Sequence, residues 1–446
     1  MNNNSSSHGM GHQTMYLVMA IVLAIVVAIG LPKVVAQETA LSLFEAIGIG
    51  GEVFLRALTM VVVPLVMASV MSGILGLGDV RKLGKPGGTA VLFYVTTTVL
   101  AVLTGVLMFN LIQPGQGVVS SLEALQNESH AEQMAVVEET SQQKKGLGDI
   151  FENLLLMLFT KNLLQSMVHI ELLPLIVFSL IFAGMLTTLG TRIKAVSDFV
   201  LASNDALLNF VMLLMKFAPV GIFCLVASNF GEAFAEGTFV STIKNLASYM
   251  MVVLGGLFIH FMVTLPLFLW IRTRRNPYRF MGQMSDALLT AFSTASSSAT
   301  LPVTMECAEK NARISRKSID FVLPLGATIN MDGTALYEAA AALFIANLYA
   351  VSPEAQAAGF ELTMTTQVII AVTATMAAIG AAGIPEAGLV TMAIVLGAVG
   401  LPVEYMAIIL PVDWFLDRFR TMINGFGDSV GAAIVDEVFK KQTHPS

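Results

Sequence analysis

The chain has 446 residues, of which 55% are hydrophobic and only 12% are charged, with a mean hydropathy of +0.76. A soluble domain carries about twice that share of charge, so the composition predicts a polytopic, all-α integral membrane protein. The net charge of −7 gives no basic surface for nucleic acid, so no nucleic-acid partner is expected. Cys224 and Cys307 both lie in apolar sequence and predict neither a disulfide framework nor thiol chemistry.

Residues 1–14 are polar and are expected to form a disordered amino-terminal tail. An apolar segment over 16–31 follows. Because residues 1–32 contain no Lys or Arg, this segment lacks the positive region of a signal peptide and is predicted to be the first transmembrane span. We predict further spans within 43–77, 88–112, 153–189, 201–226 and 248–271.

Basic residues mark the cytoplasmic side of a membrane protein. Clusters of them lie at 81–85, 192–194, 272–279 and 440–441, and a fifth cluster lies at 310–317. The loops between these clusters, including a polar loop at 114–147, are rich in acids. We therefore predict a multi-pass protein of the cell membrane (plasma or inner membrane), surrounded by membrane lipid, with both termini in the cytoplasm.

Two segments do not fit a simple count of spans. The segment 279–310 lies between two basic clusters that both belong in the cytoplasm, and its centre is a serine- and threonine-rich run at 293–300. Such a run cannot cross hydrocarbon exposed, so we predict a re-entrant hairpin with its tip buried in protein. A surface loop between two short amphipathic helices is the alternative. The segment 362–398 has a Gly/Pro-rich break at 380–388 and predicts a second hairpin, entering from the outside.

The two hairpins are predicted to point at each other from opposite faces of the membrane. Each is followed by a span with polar residues at mid-depth: Asn330 and Asp332 follow the first, and a polar stripe at 413–428 follows the second. Opposed broken helices around a midplane site are the inverted-repeat plan of a secondary transporter. Half-helix amino termini offer N–H groups to an anionic ligand, and unwound carbonyls offer oxygen to a small cation.

The polar stripe at 413–428 is the feature around which the chain is organised. On a helix at about 100° per residue, its six polar side chains fall within a band roughly 100° wide. They are Asp413, Asp417, Arg420, Thr421, Asn424 and Asp428. Such a band inside a membrane segment must face protein, water or a ligand. The alternative is a helix that runs along a bundle surface in water.

The stripe offers both signs of charge to a ligand. The planar fork of Arg420 suits a carboxylate, and Asp417, one turn earlier, suits an ammonium group. Together they describe aspartate or glutamate. The alternative is that the two side chains simply neutralise one another as an i,i+3 pair.

A second set of residues supplies hard oxygen atoms, which suit Na⁺ better than a transition metal. The carboxylates and amides of this set are Asn330, Asp332, Asn424 and Asp428, and Thr97 and Thr98 could add hydroxyls. Glu338 follows at mid-depth, where a carboxyl group could carry a proton. Pairing of Glu338 with a neighbouring helix is the alternative.

Four motifs, in this order, resemble those of the dicarboxylate/amino acid:cation symporter family. They are 296–302 (SSSATLP), 330–338 (NMDGTALYE), 382–385 (AGIP) and 412–428. The resemblance covers most of the chain from about residue 43. Tyr337, Glu338 and Arg418 are closer to the excitatory amino acid transporter branch than to the archaeal aspartate transporters. The chain departs from the resemblance at Glu386, where members of the family usually have Gln, Gly or Ala, and the loop at 114–147 has no clear motif match.

The resemblance implies a homotrimer whose protomers each have eight spans and two hairpins. Spans one and two (15–82) and four and five (148–235) would form a scaffold. The third span (83–113) and residues 236–438, with the sixth to eighth spans and both hairpins, would form a transport domain that moves as an elevator. Residues 439–446 would be a cytoplasmic tail.

The resemblance also implies roles for individual residues. Asp417 would hold the substrate amine and Arg420 its side-chain carboxylate. The rest of the substrate site would be formed by Ser296, Ser297, Ser298, Thr334, Ile384, Gly388, Thr421 and Asn424. Sodium would be held by Tyr94, Thr97, Thr98, Gly326, Thr328, Asn330, Asp332, Ala378, Asn424 and Asp428. Glu338 and Arg418 are the implied proton- or potassium-coupling residues.

The resulting hypothesis is a secondary transporter, not an enzyme, that imports L-aspartate and L-glutamate with Na⁺. Proton coupling is expected, and potassium counter-transport is left open. The rivals are a C4-dicarboxylate carrier, against which Asp417 argues, and a neutral amino acid carrier, against which Arg420 argues. An intramembrane hydrolase is disfavoured because Asp417 and Asp428 lie about 16 Å apart on one helix. An anion channel is the remaining alternative.

Overall fold

The structure is a computed structural model. It describes residues 5–76, 84–115, 156, 159–168, 172–190, 194–235, 237, 239–352, 355–356, 360–379, 381 and 387–443. Throughout these ranges the regular structure is helical. The helices are α1 (Ser5–Val34), α2 (Gln37–Gly76), α3 (Gly84–Ile112), α4 (Leu163–Val168), α5 (Leu172–Thr187), α6 (Lys194–Met215), α7 (Ala218–Ala235), α8 (Phe239–Ile259), α9 (Leu265–Thr273), α10 (Pro277–Gln283), α11 (Ser285–Thr294), α12 (Ser297–Lys310), α13 (Arg316–Ile329), α14 (Asp332–Tyr349), α15 (Met364–Ile379), α16 (Ala387–Ala398) and α17 (Leu410–Thr443). A π-helical turn at His260–Thr264 joins α8 to α9, and a 3₁₀ helix at Val403–Ile408 precedes α17.

Several of these helices are long and apolar enough to cross a membrane. The described residues contain five such segments: Met15–Val34, Gly84–Ile112, Lys194–Leu214, Ala218–Ala235 and Phe239–Thr273. The fold class predicted from composition, an all-helical membrane protein, is therefore confirmed. The number of eight spans stays a prediction.

The helices pack into two groups. In the first, α1 and α2 pack against α7, while α5 and α6 pack against α2. In the second, α17 is surrounded by α3, α9, α11, α13 and α14. Contacts between the groups include those of α16 with α2 and those of the 3₁₀ helix with α2 and α7. This division places the polar helix α17 inside the second group, where its side chains face protein.

Both segments predicted as hairpins contain two helices that pack against each other. In the first, α11 ends at Thr294, and the next residue, Ala295, has the left-handed conformation of a helix C-cap, with a φ of 50°. The Ser296 side chain then accepts a hydrogen bond from the Ala299 N–H at 3.2 Å and caps α12. In the second, α15 and α16 are joined by 380–386, of which the described part is Ala381. Ser296 and Ser297 are buried where the serine run of the first segment begins α12, which favours a tip packed in protein over a surface loop.

The helix boundaries differ from the sequence expectation in two places. We expected one span over 201–226, but α6 ends at Met215 and α7 begins at Ala218. Pro219 explains the break, since proline disfavours helix at the residue before it and is tolerated in a first turn. The first helix begins at Ser5, inside the segment expected to be a disordered tail. Beyond its first two residues, the predicted polar loop at 114–147 lies outside the described residues.

The end of α17 is anchored to the start of α13 by a buried carboxylate. Asp436 has a fully buried side chain and accepts a hydrogen bond from the Ser315 N–H at 3.1 Å. Its other oxygen lies 3.7 Å from Arg275 Nη2 and 2.8 Å from Lys440 Nζ. One acid thus connects α17 to the loop that follows the first hairpin.

We expect Asp436→Ala to lower the midpoint of thermal unfolding in detergent. The change leaves the Ser315 N–H without its acceptor, which costs about 1–3 kcal/mol. The matched control is Glu437→Gln, the adjacent acid, whose side chain is 29% exposed and whose ion pairs contribute at most about 1 kcal/mol. An equal midpoint for the Asp436→Ala variant and the wild type would show that the anchor does not stabilise the fold.

Candidate functional site

The polar stripe of α17 faces protein along its whole length. None of these six residues is more than 6% exposed. The alternative of a helix along a water-exposed surface is therefore wrong. Burial of this many polar groups in a membrane protein requires partners, and the partners define the site.

Arg420 is fully buried and lies between two carboxylates and an aromatic ring. Its Nη2 donates a hydrogen bond to Asp417 Oδ1 at 2.8 Å, and its Nη1 forms an ion pair with Asp413 Oδ1 at 2.9 Å. The guanidinium carbon lies 3.8 Å from the centre of the Tyr337 ring on α14. Its Nε makes no hydrogen bond with any described residue, so a donor remains for a ligand. The i,i+3 pair of Asp417 and Arg420, considered above as an alternative, does form, and Asp413 adds a second carboxylate to it.

Asn424, one turn further along α17, binds the broken region between α13 and α14. Its Oδ1 accepts from the Gly333 N–H at 2.8 Å, and its Nδ2 donates to Thr334 Oγ1 at 3.2 Å. The break occurs at Asn330 and Met331, which precede α14. Thr421 is also buried on this face. The structure therefore brings the predicted substrate residues of α14 and α17 together.

The second hairpin lies directly on Arg420. A Cβ added at Gly388 would lie 2.9 Å from Arg420 Nη1 and 3.4 Å from Tyr337 Cε1, so this close approach requires glycine. Ile384, also predicted for the substrate site, lies outside the described residues, as does Glu386. Of the predicted serines of the first hairpin, Ser296 and Ser297 are buried and Ser298 is exposed.

Arg418 contacts the first hairpin. Its Nη1 donates to the carbonyl oxygens of Phe292 and Ser293 at 3.0 and 2.9 Å, at the carboxyl end of α11. A cation there is favoured by the helix dipole. Glu338, predicted with Arg418 for ion coupling, instead accepts a hydrogen bond from Thr391 in the second hairpin. The structure thus places these two coupling residues against different hairpins.

Glu338 is fully buried in α14. Its described partner is the neutral Thr391 hydroxyl, and its Oε2 makes no hydrogen bond with any described residue. The alternative was that Glu338 pairs with a neighbouring helix. It does contact one, but through an uncharged hydroxyl group. A carboxyl group with a neutral partner can exist in its protonated form without breaking an ion pair.

A cluster of oxygen atoms lies where α3, α13 and α17 meet. Asn330 Nδ2 donates to Asp428 Oδ1 at 3.0 Å, while the buried Asn330 Oδ1 has no partner among the described residues. A Cβ at Gly326 would lie 2.8 Å from the Tyr94 hydroxyl and would collide with Asp428 Oδ1. The lack of a side chain at Gly326 therefore lets the Asp428 carboxylate and the Tyr94 hydroxyl approach the backbone closely, next to the unpartnered amide oxygen of Asn330.

A second oxygen cluster is centred on Asp332. Thr98 Oγ1 donates to Asp332 Oδ1 at 2.6 Å, and His260 Nε2 lies 3.1 Å from Asp332 Oδ2. Thr97 instead donates to the carbonyl oxygens of Phe93 and Tyr94, as threonine in helices often does. His260 was missed from the sequence, because a lone histidine in an apolar span has no spacing pattern. Its position within such a span was the one available signal.

The remaining predicted sodium ligands, Thr328 and Ala378, form hydrogen bonds with residues close to them in sequence. Thr328 is exposed, and its hydroxyl donates within α13 to the Leu325 carbonyl at 3.0 Å. Ala378 is buried near the end of α15, and its carbonyl accepts from the Ala381 N–H at 3.1 Å. α13 and α15 contact each other, but no bond joins these two residues in the described part of the chain. Their role stays a prediction.

Paired helical hairpins, an interrupted helix and a buried charged stripe inside a membrane-spanning bundle define a secondary transporter. A family model described as "Sodium:dicarboxylate symporter family" matches residues 14–438, and the chain belongs to this family. It is 39% identical to excitatory amino acid transporter 3 of Mus musculus, over 88% of this chain and 79% of that protein. It is 37% identical to excitatory amino acid transporter 1 of Ambystoma tigrinum, over 88% and 77% of the two chains. Against the excitatory amino acid transporter of Caenorhabditis elegans, identity is 39% over 86% and 80%.

The family resolves two of the open interpretations. The chain is a sodium-coupled membrane transporter, as the resemblance of its motifs indicated. It is not an enzyme, so the interpretation as an intramembrane hydrolase is wrong.

We expect Gly326→Ala to weaken Na⁺ binding, because the added methyl group would collide with the Asp428 carboxylate and the Tyr94 hydroxyl and displace these oxygen atoms. A cation that binds only the folded state raises the unfolding midpoint, so the variant should show a smaller rise with added NaCl, measured against choline chloride. Gly425→Ala on α17 is the matched control, since a Cβ there meets no atom within 4 Å. A sodium-dependent rise of wild-type size in the Gly326→Ala variant would contradict the proposed cation site.

Proposed function

We propose that this symporter takes up acidic amino acids, L-aspartate and L-glutamate, together with Na⁺. The observation that carries the proposal is the buried Arg420, which donates a hydrogen bond to Asp417 and lies against Gly388 of the second hairpin. The names of the relatives, excitatory amino acid transporters, agree with it.

An acidic amino acid can replace the Arg420–Asp417 bond without leaving either charge unpaired. Its side-chain carboxylate would bind the guanidinium fork, and its ammonium group would bind Asp417. A C4-dicarboxylate would leave Asp417 buried without a counter-ion, and a neutral amino acid would provide no carboxylate in exchange. Removing one partner of a buried pair costs about 3–5 kcal/mol, so the site favours the zwitterion with two carboxylates.

We propose that Na⁺ binds at the two oxygen clusters. The cluster of Asp428, Asn330 and Gly326 would hold one ion, and that of Asp332 and Thr98 a second. Asn330 lies at the break before α14. The first turn of α14 contains Gly333 and Thr334, and Asn424 forms hydrogen bonds with the Gly333 N–H and the Thr334 hydroxyl. A cation that orders this break would therefore also order the substrate site, which couples the two ligands. The positive charge would offset the charge of an anionic substrate.

We also propose the arrangement implied by the family resemblance. The group containing α17 would move as an elevator against a scaffold that includes α1, α2 and α7. Three protomers would assemble in the plasma or inner membrane, with both termini in the cytoplasm. The separate packing of the two helix groups supports this division.

The deciding experiment measures uptake of radiolabelled L-aspartate into proteoliposomes with and without an inward Na⁺ gradient. We expect sodium-driven uptake by the wild type and a loss of about 30-fold or more in Arg420→Ala, since truncating one partner of a buried charge pair costs about 2–5 kcal/mol. Arg420→Lys keeps the charge but loses the fork, and should show an intermediate defect.

Succinate and serine are measured in the same vesicles. Sodium-driven transport of either one, with no L-aspartate uptake, would refute the substrate assignment. Size-exclusion profiles of each variant distinguish a lost site from a misfolded protein.

We further propose that Glu338 carries a proton with the substrate, and that Glu338 and Arg418 are the residues through which K⁺ counter-transport would be coupled. The buried carboxyl group, with its neutral hydroxyl partner, supports the proton role. Its neighbour Tyr337 packs on Arg420, so the proton would be held close to the substrate.

We expect Glu338→Gln to abolish the acceleration of L-aspartate uptake by an inside-alkaline pH gradient, because an amide cannot release the proton inside. The rate without a pH gradient and the effect of internal K⁺ are measured in the same vesicles. Glu404→Gln, at an acid on the 3₁₀ helix before α17, serves as the control and should retain the wild-type response. A retained response in the Glu338→Gln variant would exclude Glu338 as the proton carrier.

A further inference from the structure

The long helix formed by α8 and α9 contains a π-helical turn at His260–Thr264. Such turns insert one residue into a helix and occur frequently at functional sites. Here two adjacent residues, His260 and Phe261, are both buried. His260 is 0% exposed in an otherwise apolar stretch, where an unpartnered polar group would be costly.

The imidazole of His260 is directed at one carboxylate. Its Nε2 lies 3.1 Å from Asp332 Oδ2, while Thr98 Oγ1 lies 2.6 Å from Asp332 Oδ1. A carboxylate oxygen only accepts hydrogen bonds, so Nε2 carries the hydrogen. Each oxygen of Asp332 therefore has one donor, and the two donors come from different helices. The buried Nδ1 of His260 makes no hydrogen bond with any residue that the structure describes.

We propose that His260 is a positioning residue for the sodium site that contains Asp332. The inference rests on the proposed role of Asp332 as a sodium ligand. Asp332 is the first residue of α14, directly after the break in the chain, where its carboxylate could rotate. Donors on both of its oxygens fix the plane of the carboxylate and direct the remaining lone pairs towards the cation. Outer partners of this kind commonly set the affinity of an ion site.

The chemistry of imidazole suits this task. A neutral N–H orients the carboxylate without placing a second full positive charge beside the cation, as Lys or Arg would. The ring belongs to the first residue of the π-helical turn, the point at which the regular spacing of α8 ends.

Three substitutions separate positioning from packing. Gln can place an amide N–H where Nε2 lies, Asn ends near the position of Nδ1, and Leu fills the space without a donor. We expect His260→Asn and His260→Leu to raise the Na⁺ concentration for half-maximal L-aspartate uptake roughly tenfold, with the maximal rate retained at saturating Na⁺. His260→Gln should stay within about twofold of the wild type.

The sodium-dependent rise in the unfolding midpoint is measured for all variants, since it requires neither transport nor a known substrate. The rise in the midpoint should require higher Na⁺ concentrations in the Asn and Leu variants than in the wild type, and the Gln variant should show no such change. Asp332→Asn is the reference. If it leaves both sodium measurements unchanged, the proposed sodium role of Asp332 fails, and the positioning role fails with it.

Other outcomes overturn the positioning role alone. One is that Asp332→Asn weakens Na⁺ binding while His260→Leu does not. Another is that the Leu variant loses maximal rate at saturating Na⁺ with an unchanged Na⁺ requirement, which would make His260 a packing residue. A Gln variant as impaired as the Leu variant would also refute the role of the Nε2 donor.

Discussion

The buried guanidinium of Arg420 is the group on which the arrangement of this protein depends. A permanent charge in a membrane protein interior is stable only when counter-charges and polar contacts surround it. Asp413 and Asp417 supply the counter-charges from the same helix, and Tyr337 supplies an aromatic face from α14. The second hairpin can approach only because Gly388 has no side chain. Contacts with the Arg420 side chain therefore join α17, α14 and the second hairpin.

Along α17 the residues proposed for the two kinds of ligand are separated. Arg420 lies at one level, and Asp428 lies two turns further on among oxygen atoms. Asn424 lies between them and bonds the broken region before α14. In the proposed function, this separation would keep the guanidinium from repelling a cation, while the amide contacts would transmit order from one level to the other. The coupling of anion and cation would then be a property of one helix and the break that it faces.

Periodicity and residue type were sufficient to predict the charged centre of the site. The spacing of Asp417, Arg420 and Asn424 places them on one helical face whatever surrounds the helix, and that prediction is confirmed by their burial. The serine run likewise predicted a hairpin. His260 could not be predicted, because its contact with Asp332 joins residues 72 positions apart on helices whose packing the sequence does not mark. The contact of Arg418 with backbone carbonyls is also invisible in a sequence.

The two arginines of α17 contact the hairpins through different chemical groups, with consequences for sequence variation. Arg418 binds carbonyl oxygens of Phe292 and Ser293, which every amino acid carries, so this contact places no demand on the side chains at these positions. Arg420 meets the second hairpin at Gly388, where any larger residue would displace the guanidinium. The first contact therefore tolerates substitutions of the residues that it binds and the second does not, although both are made by the same residue type.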